Sequence, residues 1–144
     1  MRRLYGVGYQ GLTLEEFIAG LVAMGVTRLF DVRLTPASRK PGFSRTALAR
    51  ALSEAGIAYE HRRELGNPKP NRSGFAGPLP AVAAARQAYR SLLAAPPART
   101  ALAEIAEAAR CEVVAVMCFE ADQSRCHRDV VLRDVAEILI SGTP

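Results

Sequence analysis

Every residue from Val113 to Met117 is apolar, and the next eleven, Cys118 to Arg128, carry two thiols, an imidazole, carboxylates and two guanidiniums. Val131, Leu132, Val135, Ile138 and Leu139 then return at helical spacing. A short β-branched run followed by a 3.6-residue period predicts a buried strand, a loop and a helix. The same alternation opens the chain. Arg3–Gly8 reads as a strand, and Thr13 with Glu16 forms a capping box ahead of Phe17, Ile18, Leu21, Val22 and Met24. That predicts a helix over about 14–24, capped at its end by Gly25. Thr27–Arg33 is a second strand, so the opening reads as a β-α-β unit with parallel strands and a right-handed crossover.

Ser44 caps a helix running through Leu48, Ala51 and Leu52 to Gly56, and Ile57–Glu60 is a short third strand leading into His61–Gly66. The prolines and glycines of residues 66–80 exclude regular structure there. Such a loop in a compact domain is a lid, a binding loop or a disordered segment. Ala81–Ala94 is an alanine-rich helix ended by Pro96-Pro97, and Leu102, Ile105, Ala106 and Ala109 mark another. Residues 1–144 form one domain, with no repeat, zinc-finger spacing or heptad.

Composition changes this picture in three respects. No apolar run reaches the roughly 18 residues of a membrane span, and the basic start Met1-Arg2-Arg3 lacks the apolar segment of a signal peptide. A cytoplasmic, non-membrane protein is expected. Three cysteines, Cys111, Cys118 and Cys126, make a disulfide framework unexpected and free thiols the default. Residues 1–75 carry 12 Lys/Arg against 6 Asp/Glu, a charge of +6, while the remainder is −1. A basic half suits an anionic partner, either a phosphate-bearing small molecule or nucleic acid. A codon bias gives the same result without function, since 17 of the 19 basic residues are Arg.

The candidate chemistry follows the strands. Asp31, Arg33 and Ser38 come after the second, His61 and Glu64 after the third, and Cys118, Glu120, Cys126, His127 and Arg128 after the fourth. Parallel strands would gather them on one sheet edge, where ligands bind. With Ser124 as N-cap, Cys126 and His127 fall in the first turn of the last helix, where the dipole and Arg125 and Arg128 favour a thiolate. Cys126 is then a nucleophile or redox thiol, or else a small core residue. Arg128 beside helix amides suits an anion, or an ion pair with Glu120 or Asp31. Asp31 and Arg33 share a strand face, as a ligand contact or a structural bridge. Cys118, Cys126 and His127 are three metal-ligating residues in an unfamiliar spacing, and no metal is assigned. A C-x5-R phosphate loop is absent, because Arg125 follows Cys118 after six residues. Gly6-x-Gly8-x-x-Gly11 with Asp31 imitates a dinucleotide fingerprint, but the capping box starts the helix after the last glycine. A tight strand exit is the simpler reading.

Taken together, Gly6-x-Gly8-Tyr9, Asp31-Val32-Arg33 with Pro36 and Ser38, Pro41-x-Phe43, Gly56-Ile57-x-Tyr59, Glu64-Leu65-Gly66, Met117-Cys118-x-Glu120 and Cys126-His127-Arg128 resemble domain-of-unknown-function family 488, small prokaryotic proteins. The resemblance implies an α/β fold, a three-layer α/β/α sandwich around a small, mostly parallel sheet. By residue match it implies a shared site at Asp31, Arg33, Ser38, Tyr59, Glu64, Glu120, Cys126, His127 and Arg128. Gln10 departs from the family's Ser or Thr. The end at Ser141-Gly142-Thr143-Pro144 leaves out a further strand, so an edge is open or closed by a partner subunit, as in a homodimer.

The leading expectation is an enzyme acting on an anionic substrate. Cys126 and His127 carry the chemistry, Glu120 and Asp31 orient them, and Arg33, Ser38, Tyr59, Glu64, Cys118 and Arg128 bind the ligand, without a cofactor or metal. The alternative is a non-catalytic nucleic-acid- or protein-binding module using Arg39, Lys40 and Arg45. A thiol redox sensor is the third.

Overall fold

In the computed structural model, which describes residues 3–141, all five residues of strand β4 (Val114–Cys118) are buried. A strand so apolar needs cover on both faces, and β4 finds it at the centre of an all-parallel sheet. The strand order is β1 (Leu4–Gly8), β4, β2 (Arg28–Asp31), β3 (Ala58–His61). β1 and β2 are therefore parallel, as the opening pattern predicts, but β4 lies between them.

Side chains alternate across the sheet. Val114, Val116 and Cys118 enter one core with Tyr89, Leu102, Ile105, Val131 and Val135, while Ala115 and Met117 enter the other with Phe17, Leu21, Leu48 and Leu52. Helices α1 (Leu14–Ala23) and α2 (Arg45–Glu54) thus cover one face. Helices α4 (Leu79–Leu93), α5 (Pro96–Cys111) and α6 (Arg128–Ser141) cover the other. This is the three-layer α/β/α arrangement.

The capping box forms as its spacing predicts: Thr13 Oγ1 accepts from the Glu16 amide and Glu16 accepts from the Thr13 amide. Gly25 has φ +76°, which favours glycine. Ser44 precedes α2 but does not cap it with its side chain; its hydroxyl bonds Ser38 instead.

Residues 66–80 depart from the expectation of a loop. They contain helix α3 (Lys69–Phe75) and the start of α4. Pro70, Pro80, Pro96 and Pro97 all sit in first turns, where the missing N–H would have no intrahelical partner and the fixed φ suits the helix. Here the prolines begin helices rather than forbid them. Residues 142–144, and with them the missing-strand comparison, lie outside the described residues, as do Met1 and Arg2.

Gly8 explains the glycine pattern at the end of β1. A Cβ there would lie 1.9 Å from the Glu120 carbonyl oxygen, so the glycine lets the β4–α6 connection pass directly over the strand. Among the described residues, no helix is long and apolar enough to cross a membrane.

Candidate functional site

The carboxyl ends of β1, β2 and β4 surround a pocket of about 400 Å³, within the usual size of small-molecule sites. Tyr9 enters from β1, and Arg33, Thr35 and Ser38 from the segment after β2. Cys118, Glu120, Arg125, Cys126 and His127 come from the β4–α6 connection. Asn67, Arg72 and Phe75 close it from the α3 region.

At one corner Cys118 and Cys126 are joined as a disulfide, both buried, and only Cys111 is a free cysteine. This corrects the expectation of three free thiols. Eight residues of sequence separate the pair, but the connection folds back through a 3₁₀ turn at Gln123–Arg125. Asp122 fixes that turn by accepting from the Ser124 amide and hydroxyl. Ser124 therefore does not cap the last helix. α6 begins at Arg128, and Cys126 has extended backbone just before it, so neither Cys126 nor His127 lies in the first turn.

His127 is buried, with Nε2 2.8 Å from the Val32 carbonyl oxygen. A carbonyl only accepts, so Nε2 carries the hydrogen and Nδ1 presents its lone pair. That atom lies 3.7 Å from Cys126 Sγ. Burial pushes the imidazole pKa down to about 4, assisted by the charges of Arg72 and Arg128 and opposed by the Val32 bond. His127 is thus neutral at physiological pH.

Arg128 is buried behind this corner rather than in the pocket wall. Its Nη1 donates to Cys118 Sγ at 3.1 Å and to the Glu120 carbonyl at 2.5 Å, and Nη2 donates to the Ala121 carbonyl at 3.2 Å. Nε is buried without a hydrogen-bond partner among the described residues. The adjacent carboxylate, Asp129, pairs with Arg86 and Arg133 instead. Desolvation accordingly lowers the Arg128 pKa. Glu120 Oε2, in the same connection, is also buried with no hydrogen-bond partner among the described residues.

Arg33 is engaged differently. Its Nε and Nη2 bond the Asp31 carboxylate at 2.7–3.1 Å, and Nη1 donates to Tyr9 Oη at 3.1 Å and the Phe43 carbonyl at 2.8 Å. Tyr59 Oη donates to the same Asp31 carboxylate at 2.5 Å. Burial works against the Arg33 cation, but the Asp31 bond and charge outweigh it and hold its pKa above the ordinary value. Burial, then the Asp31 bond, raises the Tyr59 hydroxyl. The Asp31–Arg33 alternatives thus resolve geometrically into a bridge.

The sheet edge brings together Arg33, Ser38, Cys118, Glu120, Cys126 and His127. Asp31 and Tyr59 lie beneath Arg33, outside the wall, and Arg128 lies behind the sulfurs. Glu64 is not brought in: it is exposed on the 3₁₀ turn Arg63–Leu65. Asn67, Arg72 and Phe75 are the residues that sequence reasoning missed, because reading 66–80 as loop hid the helix presenting them. Arg72 Nε donates to the Asn67 carbonyl at 3.1 Å, and Arg125 Nη1 donates to the Phe75 and Gly77 carbonyls. Neither forms an ion pair among the described residues, so both bring positive charge to the rim.

The family model described as domain of unknown function DUF488 matches residues 13–135. The chain belongs to the DUF488 family. The match covers every pocket residue named above except Tyr9. No curated protein and no solved structure matches the chain.

Proposed function

We propose that this DUF488 protein is a small enzyme acting on an anionic, phosphate-bearing or nucleotide-like substrate, with its chemistry at Cys118, Cys126 and His127. The observation behind this reading is the sulfur–imidazole corner inside a pocket rimmed by Arg72 and Arg125, neither in an ion pair among the described residues. Anion contact falls to these two arginines rather than to Arg33, whose charge Asp31 neutralises, or to Arg128, which holds loop carbonyls. Asp31 and Tyr59 are positioning residues, because they act through Arg33. His127 Nδ1 is placed to accept a proton from the Cys126 thiol once the sulfurs are reduced. Arg128 favours charge on Cys118 by donating to its sulfur.

The rival reading, a nucleic-acid- or protein-binding module on the basic half, draws less support. Arg28 and Arg62 both engage Glu60, and Arg33 is held by Asp31. Exposed Arg39 and Arg45 remain to it, with Arg3, Arg50, Arg63 and Lys69 exposed elsewhere in that half. Calorimetric titration with inorganic phosphate and a nucleoside monophosphate separates the two. Saturable binding that falls about tenfold in each of Arg72→Ala and Arg125→Ala, roughly the loss of one charge-assisted bond apiece, supports the enzyme. Binding only to polynucleotide, with a steep salt dependence lost on neutralising Arg39, Lys40 and Arg45, supports the rival.

A further inference from the structure

Cys118 Sγ, Cys126 Sγ and one His127 ring nitrogen lie within 4.8 Å of one another, and all three residues are buried. Donors bound about 2.0–2.3 Å from one tetrahedral ion lie roughly 3.5 Å apart, so small side-chain adjustments bring them to a common centre. The Cα atoms of the two cysteines are 7.3 Å apart, wider than the usual span of about 4.4–6.8 Å for a direct bond. Two sulfurs on a shared ion fit that separation.

The surroundings match those of a metal site. The Val32 carbonyl takes the Nε2 hydrogen of His127, which leaves Nδ1 as the donor atom and fixes the ring, as outer partners of metal-bound histidines do. Arg128 gives Cys118 Sγ a hydrogen bond and brings a buried cation that makes no carboxylate contact within ion-pair distance among the described residues. A thiolate is the counter-charge this guanidinium fits. Three protein ligands also leave a fourth position, and these three all line the pocket, as Glu120 does.

We propose that reduction of the Cys118–Cys126 bond converts this corner into a site for a thiophilic divalent ion of the zinc type, held by Cys118 Sγ, Cys126 Sγ and His127 Nδ1. The inference deepens the proposed function and rests on it for what the open position serves, a ligand in the arginine-rimmed pocket. A dithiol reductant supplies two electrons and two protons; the S–S bond breaks, two thiols form, and the reductant becomes a disulfide. The ion then displaces both thiol protons to solvent. Neutral His127 releases none. Reoxidation of the pair removes two of the three ligands, so the site is loaded only in the reduced protein.

The test is titration of the full-length, phosphine-reduced, chelator-treated protein with Co²⁺, read by absorption. The expected result is one equivalent of Co²⁺ giving sulfur-to-cobalt charge transfer and intense tetrahedral d–d bands, bleached by one equivalent of Zn²⁺. Cys118→Ser and Cys126→Ser should each lose most of the charge-transfer intensity, and His127→Ala should weaken binding at least tenfold. Cys111→Ser should leave the spectrum unchanged. Circular dichroism identifies any variant that fails to fold, and unreduced wild-type protein, already folded, should show no bands until reductant is added. Absence of charge transfer in reduced, folded wild-type protein, or bands that persist in a folded Cys118→Ser/Cys126→Ser double variant, overturns the site. Phosphate binding to the unreduced, metal-free protein keeps the two readings apart. If it persists and depends on Arg72 and Arg125, failure to bind Co²⁺ sinks the metal site alone.

Discussion

The polar cluster around Asp31 and the loop from Cys118 to Arg128 lie side by side at the carboxyl end of the sheet, and they treat a buried guanidinium in opposite ways. Arg33 meets a carboxylate, a phenol and a carbonyl, and Tyr59 adds another hydrogen bond to the same carboxylate. Arg128 meets carbonyls and a sulfur, with Nε unpartnered and Glu120 Oε2 unpartnered nearby. The first cluster completes itself and holds β2 to the segment that follows. The second has polar capacity to spare. Buried polar groups are normally satisfied, so a shortfall behind the pocket's sulfur corner sets this loop apart from the Asp31 cluster.

The largest test of this contrast is Asp31→Ala. Removing the carboxylate strands the Arg33 charge in the interior, and stability measured by urea denaturation should fall by about 3–5 kcal/mol.

His127 gives the next effect. In the disulfide form its pKa is pushed down to about 4, below histidine's ordinary value, by burial. As pH falls, the unfolded chain takes the proton first. The contribution is therefore fully present above the ordinary histidine value and is lost between about pH 6.5 and pH 4, on the order of 3 kcal/mol in all. Urea midpoints of wild type and His127→Gln at both ends of that window should diverge by this amount; parallel curves would contradict the buried neutral ring.

Arg72→Ala and Arg125→Ala should each weaken phosphate binding about fivefold or more, while stability shifts by less than about 1 kcal/mol. Glu64→Ala sharpens the contrast from the other side. It is exposed outside the pocket, so both readouts should move by less than about 0.5 kcal/mol.

Much of the fold is legible in the chain because it follows from period. The unbroken run at β4 demanded two covered faces, and the Thr13–Glu16 box placed the start of α1. Strand order was not legible, since nothing local in β4 says that it inserts between β1 and β2. The meeting of the clusters after β2 and β4 was readable from parallelism, but the exclusion of Glu64 after β3 and the choice of partners were not. Asp31 and Arg33 suited either a ligand or each other, and only the positions of Tyr9, Phe43 and Tyr59 decide between these. The nearness of Cys118 to Cys126 was hidden by a connection that doubles back through a 3₁₀ turn. Proline composition concealed Arg72 and Phe75, because a proline in a first turn and one in a loop look alike without register.

The most direct measurement is alkylation of the reduced protein against pH, with each cysteine followed by mass spectrometry and exposed Cys111 as internal reference. If the Cys118–Arg128 loop is the working site, Cys118 should reach its thiolate at lower pH than Cys111, and Arg128→Leu should abolish that advantage. A Cys118 thiol that titrates with or above Cys111, and ignores the loss of Arg128, would contradict the account.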